Sequence, residues 1–202
     1  MITIVNYGMG NLGSMLNMFK RIGVKACIEA DPIAIRQAEK LVLPGVGAFD
    51  AAMQRINDSV GLRDVLDYKA LTEQVPVLGV CLGMQLLTRG SEEGVIPGLG
   101  WIQGATLRFP REARLKVPHM GWNIAYCATP SKLTTGLGVD PRYYFVHSYF
   151  VSVDDPANSV MRTRYGLDFD SAIGRSNIYG VQFHPEKSHR FGMQLLKNFA
   201  EL

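Results

Sequence analysis

The sequence predicts an α/β fold: a mixed, mostly parallel central sheet with helices on both faces and antiparallel hairpins added in its second half. Three observations predict it. Through the first half, apolar runs of strand length alternate with segments of helical spacing, and parallel strands require such crossovers. From Trp101 onward, short β-like runs follow one another between turn residues, as antiparallel strands do. The composition is globular, 47% hydrophobic and 19% charged over 202 residues, enough to bury a core as one domain spanning 1–202.

Taken in order, MITIVNY reads as a short apolar strand, LGSMLNMFKRIG as an amphipathic helix and VKACIEAD as a second strand. KLVLPG is a third buried strand, broken by Pro44 and Gly45, and the helix AFDAAMQRI follows. A polar helical stretch around GLRDVLDYKAL leads to VPVLGV, a strand that stops at Cys81 and gives way to LGMQLLTRG with helical spacing. WIQGATLRF, GWNIAY, YYFVHSYFVSV, SVMRTRY, SAIGRSN and IYGVQFHP supply the β-like runs. An amphipathic helix, RFGMQLLKNFAEL, closes the chain.

Bulk properties narrow the function classes. The net charge of +3 is mild, and the bases are scattered (Lys20/Arg21, Arg108/Arg111/Arg114/Lys116, Lys187/Arg190), so nucleic-acid binding has little support. No stretch has the length of a membrane span and the N-terminus lacks signal-peptide features, which reads as a cytoplasmic protein. Cys27, Cys81 and Cys127 are odd in number and never form C-x-x-C, which argues against a disulfide framework or a zinc site. One of them could be a nucleophile.

Residues 8–13, GMGNLG, match the G-x-G-x-x-G spacing of dinucleotide-binding turns, with Glu29 and Asp31 where that fingerprint expects an acid. Glycines at a first strand-to-helix turn are equally accounted for by positive φ and close backbone packing. The stronger chemical signal is VLGVCLGMQ. Gly79 and Gly83 flank Cys81 at a strand-to-helix junction, the cysteine counterpart of the G-x-S-x-G elbow. The helix start offers free backbone N–H groups and a positive dipole end, which favour thiolate, and the N–H of Leu82 could hold an oxyanion. Taken alone, Cys81 reads equally as a buried small hydrophobe.

A nucleophile needs a base. In QFHPE, His184 ends a strand and Glu186 lies two residues on, so strand periodicity points both to one side: nucleophile, base and orienting acid. His119 and His189 have no evident acid partner, and His147 lies inside an apolar strand. In LPGVG, a backbone N–H of Val46 or Gly47 could complete an oxyanion hole opposite Leu82, although an ordinary strand-ending turn explains that stretch as well.

In combination, PGVG, GVCLGMQ and FHPE, in that order, resemble the class I glutamine amidotransferases, a family of flavodoxin-like fold. More narrowly, NYGMGNLGS, LPGVGAFD, PHMGWN, YYFVHSY and HPEKS are similar to the glutaminase subunits of imidazole glycerol phosphate synthases, and the likeness runs from residue 1 to the final helix. The resemblance implies that Cys81 attacks the glutamine side-chain amide, that His184 is base and then acid to the departing ammonia, and that Glu186 orients it. It implies that Gln85, Glu93, Ser148 and Tyr149 hold glutamine, with Glu93 near the α-ammonium and the backbone from Gly45 near the carbonyl. No metal or cofactor is implied.

The partner it implies is a (β/α)₈-barrel synthase subunit that uses the ammonia to make imidazole glycerol phosphate and an aminoimidazole carboxamide nucleotide. GMGNLG would then lie on the docking face, with Met9, Asn11 and Ser14 as contacts and Trp122, Tyr144 and Lys187 at the same interface. GNLGSMLNMFKRIG and HPEKSHRFGMQLLKNF also resemble paralogues that feed ammonia to a sugar amidotransferase of surface-polysaccharide synthesis. A cysteine α/β-hydrolase would share the elbow, but such enzymes place the acid between nucleophile and histidine, and here the acid follows the histidine.

Overall fold

The structure, a computed structural model, describes residues 1–110 and 115–202. Arg111 and Arg114 of the scattered bases lie outside the described residues. Among the described residues, twelve strands and six α-helices follow in chain order. The first half holds β1 (Ile2–Val5), α1 (Leu12–Arg21), β2 (Ala26–Glu29), α2 (Pro32–Ile35), β3 (Lys40–Gly45), α3 (Phe49–Asp58), α4 (Leu62–Asp67), β4 (Val77–Cys81) and α5 (Leu82–Leu86). The second holds β5 (Gly104–Arg108), β6 (His119–Ile124), β7 (Tyr126–Cys127), β8 (Arg142–His147), β9 (Tyr149–Val153), β10 (Ser159–Tyr165), β11 (Leu167–Arg175), β12 (Ile178–Val181) and α6 (His189–Ala200).

The main sheet runs β2-β1-β3-β4-β12-β11-β10-β7, with β9 on β11 and β5 on β9. Its first five strands are parallel and the remaining pairings antiparallel, the mixed sheet expected from the sequence. Side-chain alternation divides the core. Ile2, Ile4, Val42 and Leu78 face α1 and α6 through Met15, Phe19, Leu195 and Phe199. Val5, Leu41, Leu43 and Val77 face α3 and α4 through Phe49, Met53, Ile56 and Leu66. At about 2 kcal/mol per fully buried side chain of this size, both layers are needed to hold the sheet flat against its helices.

Four local readings change. Pro44 and Gly45 do not break the third strand but complete β3, pairing with Val80 and Cys81 of β4; a proline needs only a position where its missing N–H is not required. YYFVHSYFVSV is two strands and not one run: the chain switches sheets at Ser148, so β8 pairs with β6 in a separate two-stranded ribbon while β9 joins the main sheet. β12 belongs to the parallel core through β4 as well as to a hairpin with β11. LGMQLLTRG forms only the five-residue α5. None of the helices among the described residues is long and apolar enough to cross a membrane.

The GMGNLG turn has a local explanation. Gly8 and Gly10 take φ of +81° and +94°, and a Cβ on Gly10 would stand 3.2 Å from the Pro44 backbone. Glu29 accepts from the N–H groups of Ala30 and Asp31 (2.8 and 2.9 Å), and Asp31 caps α2 by accepting from Ile33 (2.9 Å). Both acids of the fingerprint therefore hold their own turn.

Candidate active site

Because β3, β4 and β12 run parallel, their carboxyl ends meet at one edge of the sheet, and Gly45 sits in register with Cys81. Cys81 is the last residue of β4 and the N-cap of α5, with φ 55° and ψ −110°. That conformation is strained for any residue with a Cβ. Its neighbours make the elbow sharp: a Cβ on Gly83 would stand 1.8 Å from the Leu43 carbonyl oxygen, and one on Gly79 would stand 2.5 Å from the Gly83 carbonyl oxygen. Only glycine lets the first turn of α5 press against β3 and β4.

His184 does not end a strand. β12 stops at Val181, and His184 precedes a 3₁₀ turn, Pro185–Lys187. That turn, rather than strand periodicity, brings His184 Nδ1 to 2.8 Å from Glu186 Oε1, with both side chains almost fully buried. Nδ1 therefore carries the proton toward the carboxylate, and Nε2 is left for the Cys81 side. Burial works against the charged imidazole, but the neighbouring Cys81 thiol and the hydrogen-bonded Glu186 carboxylate outweigh it and push its pKa up to about 10.

These groups border a cavity of about 320 Å³ lined by Val46, Gly47, Cys81, Leu82, Gln85, Glu93, Pro118, Val146, His147, Ser148, Tyr149 and His184. The volume suits an amino acid. Gly45 lies beneath the wall, where a Cβ would meet the Tyr7 hydroxyl at 2.7 Å and Leu82 at 2.9 Å. Glu186 stands behind His184. Glu93 reaches across to accept from the Phe49 N–H at the start of α3 (2.9 Å). Gln85 donates to the Tyr149 carbonyl (3.2 Å) and to Gln182 Oε1 (3.1 Å), so its own carbonyl oxygen remains for a ligand.

Four contributors were not singled out in the sequence. Gln182 is fully buried and places Nε2 3.8 Å from the Cys81 sulfur, an interaction that QFHPE signalled only as a polar residue ending an apolar run. Tyr7 donates to the Pro44 carbonyl (2.5 Å) and pins the strand end before Val46. Pro118 and Val146 enter the wall from loops and ribbon that no local pattern places there.

Chemically, the arrangement presents a sulfur on a strained turn, a buried imidazole held by a carboxylate, backbone N–H groups at a helix start and a polar wall across the cavity. The glutamine amidotransferase class-I family model matches residues 4–202. The chain belongs to that family. Relatives extend the likeness over whole chains. Imidazole glycerol phosphate synthase subunit HisH 2 of Methanococcus maripaludis is 51% identical, covering 100% of this chain and 99% of its own. The HisH 2 subunit of Pseudomonas aeruginosa is likewise 51% identical with full coverage of both, and HisH of Bdellovibrio bacteriovorus is 47% identical with full coverage of both. Among solved structures, PurLQS from Thermotoga maritima superposes with a TM-score of 0.72 over 99% of this chain and 97% of its own, at 16% identity, which speaks for the amidotransferase fold alone.

Of the residues expected at the partner face, Trp122, Tyr144 and Lys187 lie together, outside the cavity. Trp122 is 49% exposed and stacks on His189 with ring centroids 5.3 Å apart, and Lys187 sits 5.8 Å over the Tyr144 ring. Asn11 accepts from the Ser14 N–H (3.2 Å), which gives that pair a capping role in α1 whatever else it contacts. Met9 reaches the loop after β3: a Cβ on Gly47 would stand 2.9 Å from its methyl.

Proposed function

We infer that this chain is the glutaminase subunit of an imidazole glycerol phosphate synthase, a cytoplasmic enzyme formed with a (β/α)₈-barrel subunit. The observation that carries the reading is the placement of Cys81 on a positive-φ elbow beside the His184–Glu186 pair in an amino-acid-sized cavity. In this reading Cys81 passes its thiol proton to His184 Nε2 and the sulfur attacks the side-chain carbonyl carbon of glutamine. The oxyanion is received by the N–H of Leu82 and one from Val46 or Gly47. His184 gives its proton to the departing nitrogen, ammonia leaves and a thioester remains on sulfur. His184 then takes a proton from water, whose hydroxide adds to the thioester, and glutamate departs as the proton returns to sulfur. Glu186 keeps the imidazole oriented throughout.

Gln85, Glu93, Ser148 and Tyr149 hold the amino-acid end of the substrate, with Glu93 at the α-ammonium. Ammonia released into water is protonated and lost as a nucleophile, so it must cross an enclosed path into the partner. Met9, Asn11, Ser14, Trp122, Tyr144 and Lys187 supply the docking face. Because a Cβ on Gly47 would stand 2.9 Å from the Met9 methyl, docking at Met9 would bear directly on the loop that supplies the second oxyanion N–H.

The test is glutamate release by wild type and Cys81→Ser, with and without the barrel subunit. Turnover of wild type with partner and none by the variant is expected; turnover that survives Cys81→Ser overturns the mechanism. A second acceptor, a sugar in surface-polysaccharide synthesis, is favoured by one observation: both 51% relatives are named subunit HisH 2, and a second subunit is what a second acceptor would call for. Failure to complement a histidine auxotroph lacking its own subunit would select it.

A further inference from the structure

PHMGWN and YYFVHSY contribute two buried histidines that the mechanism above does not use. His119 and His147 face each other across the β6–β8 ribbon, in register, with His119 Nδ1 2.9 Å from His147 Nε2. His147 Nδ1 lies 2.7 Å from the Tyr149 carbonyl oxygen. At the other end, His119 Nε2 lies 3.2 Å from Asn123 Nδ2.

Hydrogen-bond bookkeeping leaves one assignment. A carbonyl oxygen only accepts, so His147 Nδ1 must carry a proton. Asn123 Oδ1 accepts from the Ile124 N–H (2.8 Å) while its Nδ2 donates to the Arg164 carbonyl (3.0 Å), which fixes the amide and leaves a second Nδ2 proton for His119 Nε2. His119 Nδ1 must then be the donor to His147 Nε2. Every link points the same way, from Asn123 through both rings to Tyr149, and an added proton on either ring would set donor against donor. Burial agrees, since it pulls His119 down to about 4 and His147 to about 3, the latter against the hydrogen bond to Tyr149 and with the His119 and His184 rings adding to the drop. His119 lies between Tyr165 and Phe145, with ring centroids 4.0 and 4.8 Å away, so its ring is held in line.

The acceptor at the end of the relay belongs to the cavity. The Tyr149 carbonyl also receives Gln85 Nε2, Gln85 donates onward to Gln182 Oε1, and Gln182 Nε2 reaches the Cys81 sulfur. We propose that His119 and His147 are positioning residues for glutamine: a one-directional relay, both rings neutral and protonated on Nδ1, holds the Tyr149 carbonyl and through it the Gln85 amide in the cavity wall. The proposal rests on the reading of that cavity as the glutamine site.

Two measurements test it. In ¹⁵N spectra of the full-length chain labelled at histidine, His119 and His147 should both show a protonated Nδ1 and a bare Nε2, the tautomer that free histidine disfavours. A proton on Nε2 of either ring overturns the relay, and this readout needs neither a variant nor turnover. In the complex with the barrel subunit, His119→Phe keeps the ring stack and ends the relay. It should raise KM for glutamine about tenfold with kcat within about twofold, the cost of one buried hydrogen bond felt in binding. His147→Leu should do at least as much, whereas His147→Asn, which keeps a donor near the Nδ1 position, should stay within about threefold of wild type. An unchanged KM in His119→Phe, or a loss confined to kcat, refutes the positioning role. A wild-type complex that releases no glutamate refutes instead the glutamine reading, leaving the tautomers to be judged on their own.

Discussion

His184 and Glu186 meet across a single 3₁₀ turn, Nδ1 to Oε1 at 2.8 Å, and this closeness gives folding a pH dependence. The folded imidazole is held up to about 10 by Cys81 and Glu186 against the opposing effect of burial, whereas an unfolded histidine titrates near 6.5. A raised pKa stabilises the fold fully below about 6.5, and that contribution is lost as pH climbs through about 10. Glu186→Gln removes one support. Its urea midpoint should start lower at pH 6 and fall less between pH 6.5 and 10 than that of wild type; parallel curves would contradict the linkage.

The Cys81 elbow separates chemistry from stability. Cys81→Ala and Cys81→Gly both remove the sulfur, and each should lower glutaminase turnover by at least about a thousandfold, since the nucleophile has no substitute. Only the glycine variant relieves the positive φ of 55°. It should therefore be about 1 kcal/mol more stable than the alanine variant in equilibrium unfolding. Equal stabilities would mean that the turn stores no strain.

Much of what is local in this fold was legible from sequence. The glycines around Cys81, the helix after β1 and the order of strands and helices each follow from residues a few positions apart. The larger failures are non-local. Nothing near Ser148 says that β8 will leave for a separate ribbon while β9 joins the main sheet, because pairing partners decide it. The His184–Glu186 contact was anticipated with the wrong geometry, since Pro185 starts a 3₁₀ turn where strand alternation was assumed. Gln182 and Tyr7 escaped notice because a lone buried polar residue declares its role only when its distant partner is known. His119 lacked an acid partner in the sequence and His147 read only as part of an apolar strand; their partner was each other.

Gly83 offers a test of packing alone. A Cβ there would stand 1.8 Å from the Leu43 carbonyl oxygen, which is backbone and cannot rotate away, so Gly83→Ala should cost about 3 kcal/mol or prevent folding. Gly90 has nothing within 4 Å and needs no positive φ, and Gly90→Ala should leave the unfolding midpoint nearly unchanged. If the two alanines behaved alike, the close approach of α5 to β3 would be disproved.

On the proposed docking face, some residues also hold the fold and others do not. Trp122 is half-exposed and touches His189 and the edge of Tyr144, contacts that the isolated chain can lose at little cost. A large aromatic at the centre of an interface commonly carries much of the binding energy, so Trp122→Ala should weaken association with the barrel subunit at least about tenfold while thermal unfolding of the isolated chain stays put. Asn11 differs, because its side chain accepts the Ser14 N–H at the start of α1, and Asn11→Ala should lower stability by about 1 kcal/mol before any partner is added. Titrating the barrel subunit into each variant, alongside a melt of each chain alone, separates the two effects. Wild-type affinity in Trp122→Ala would move the partner to another face.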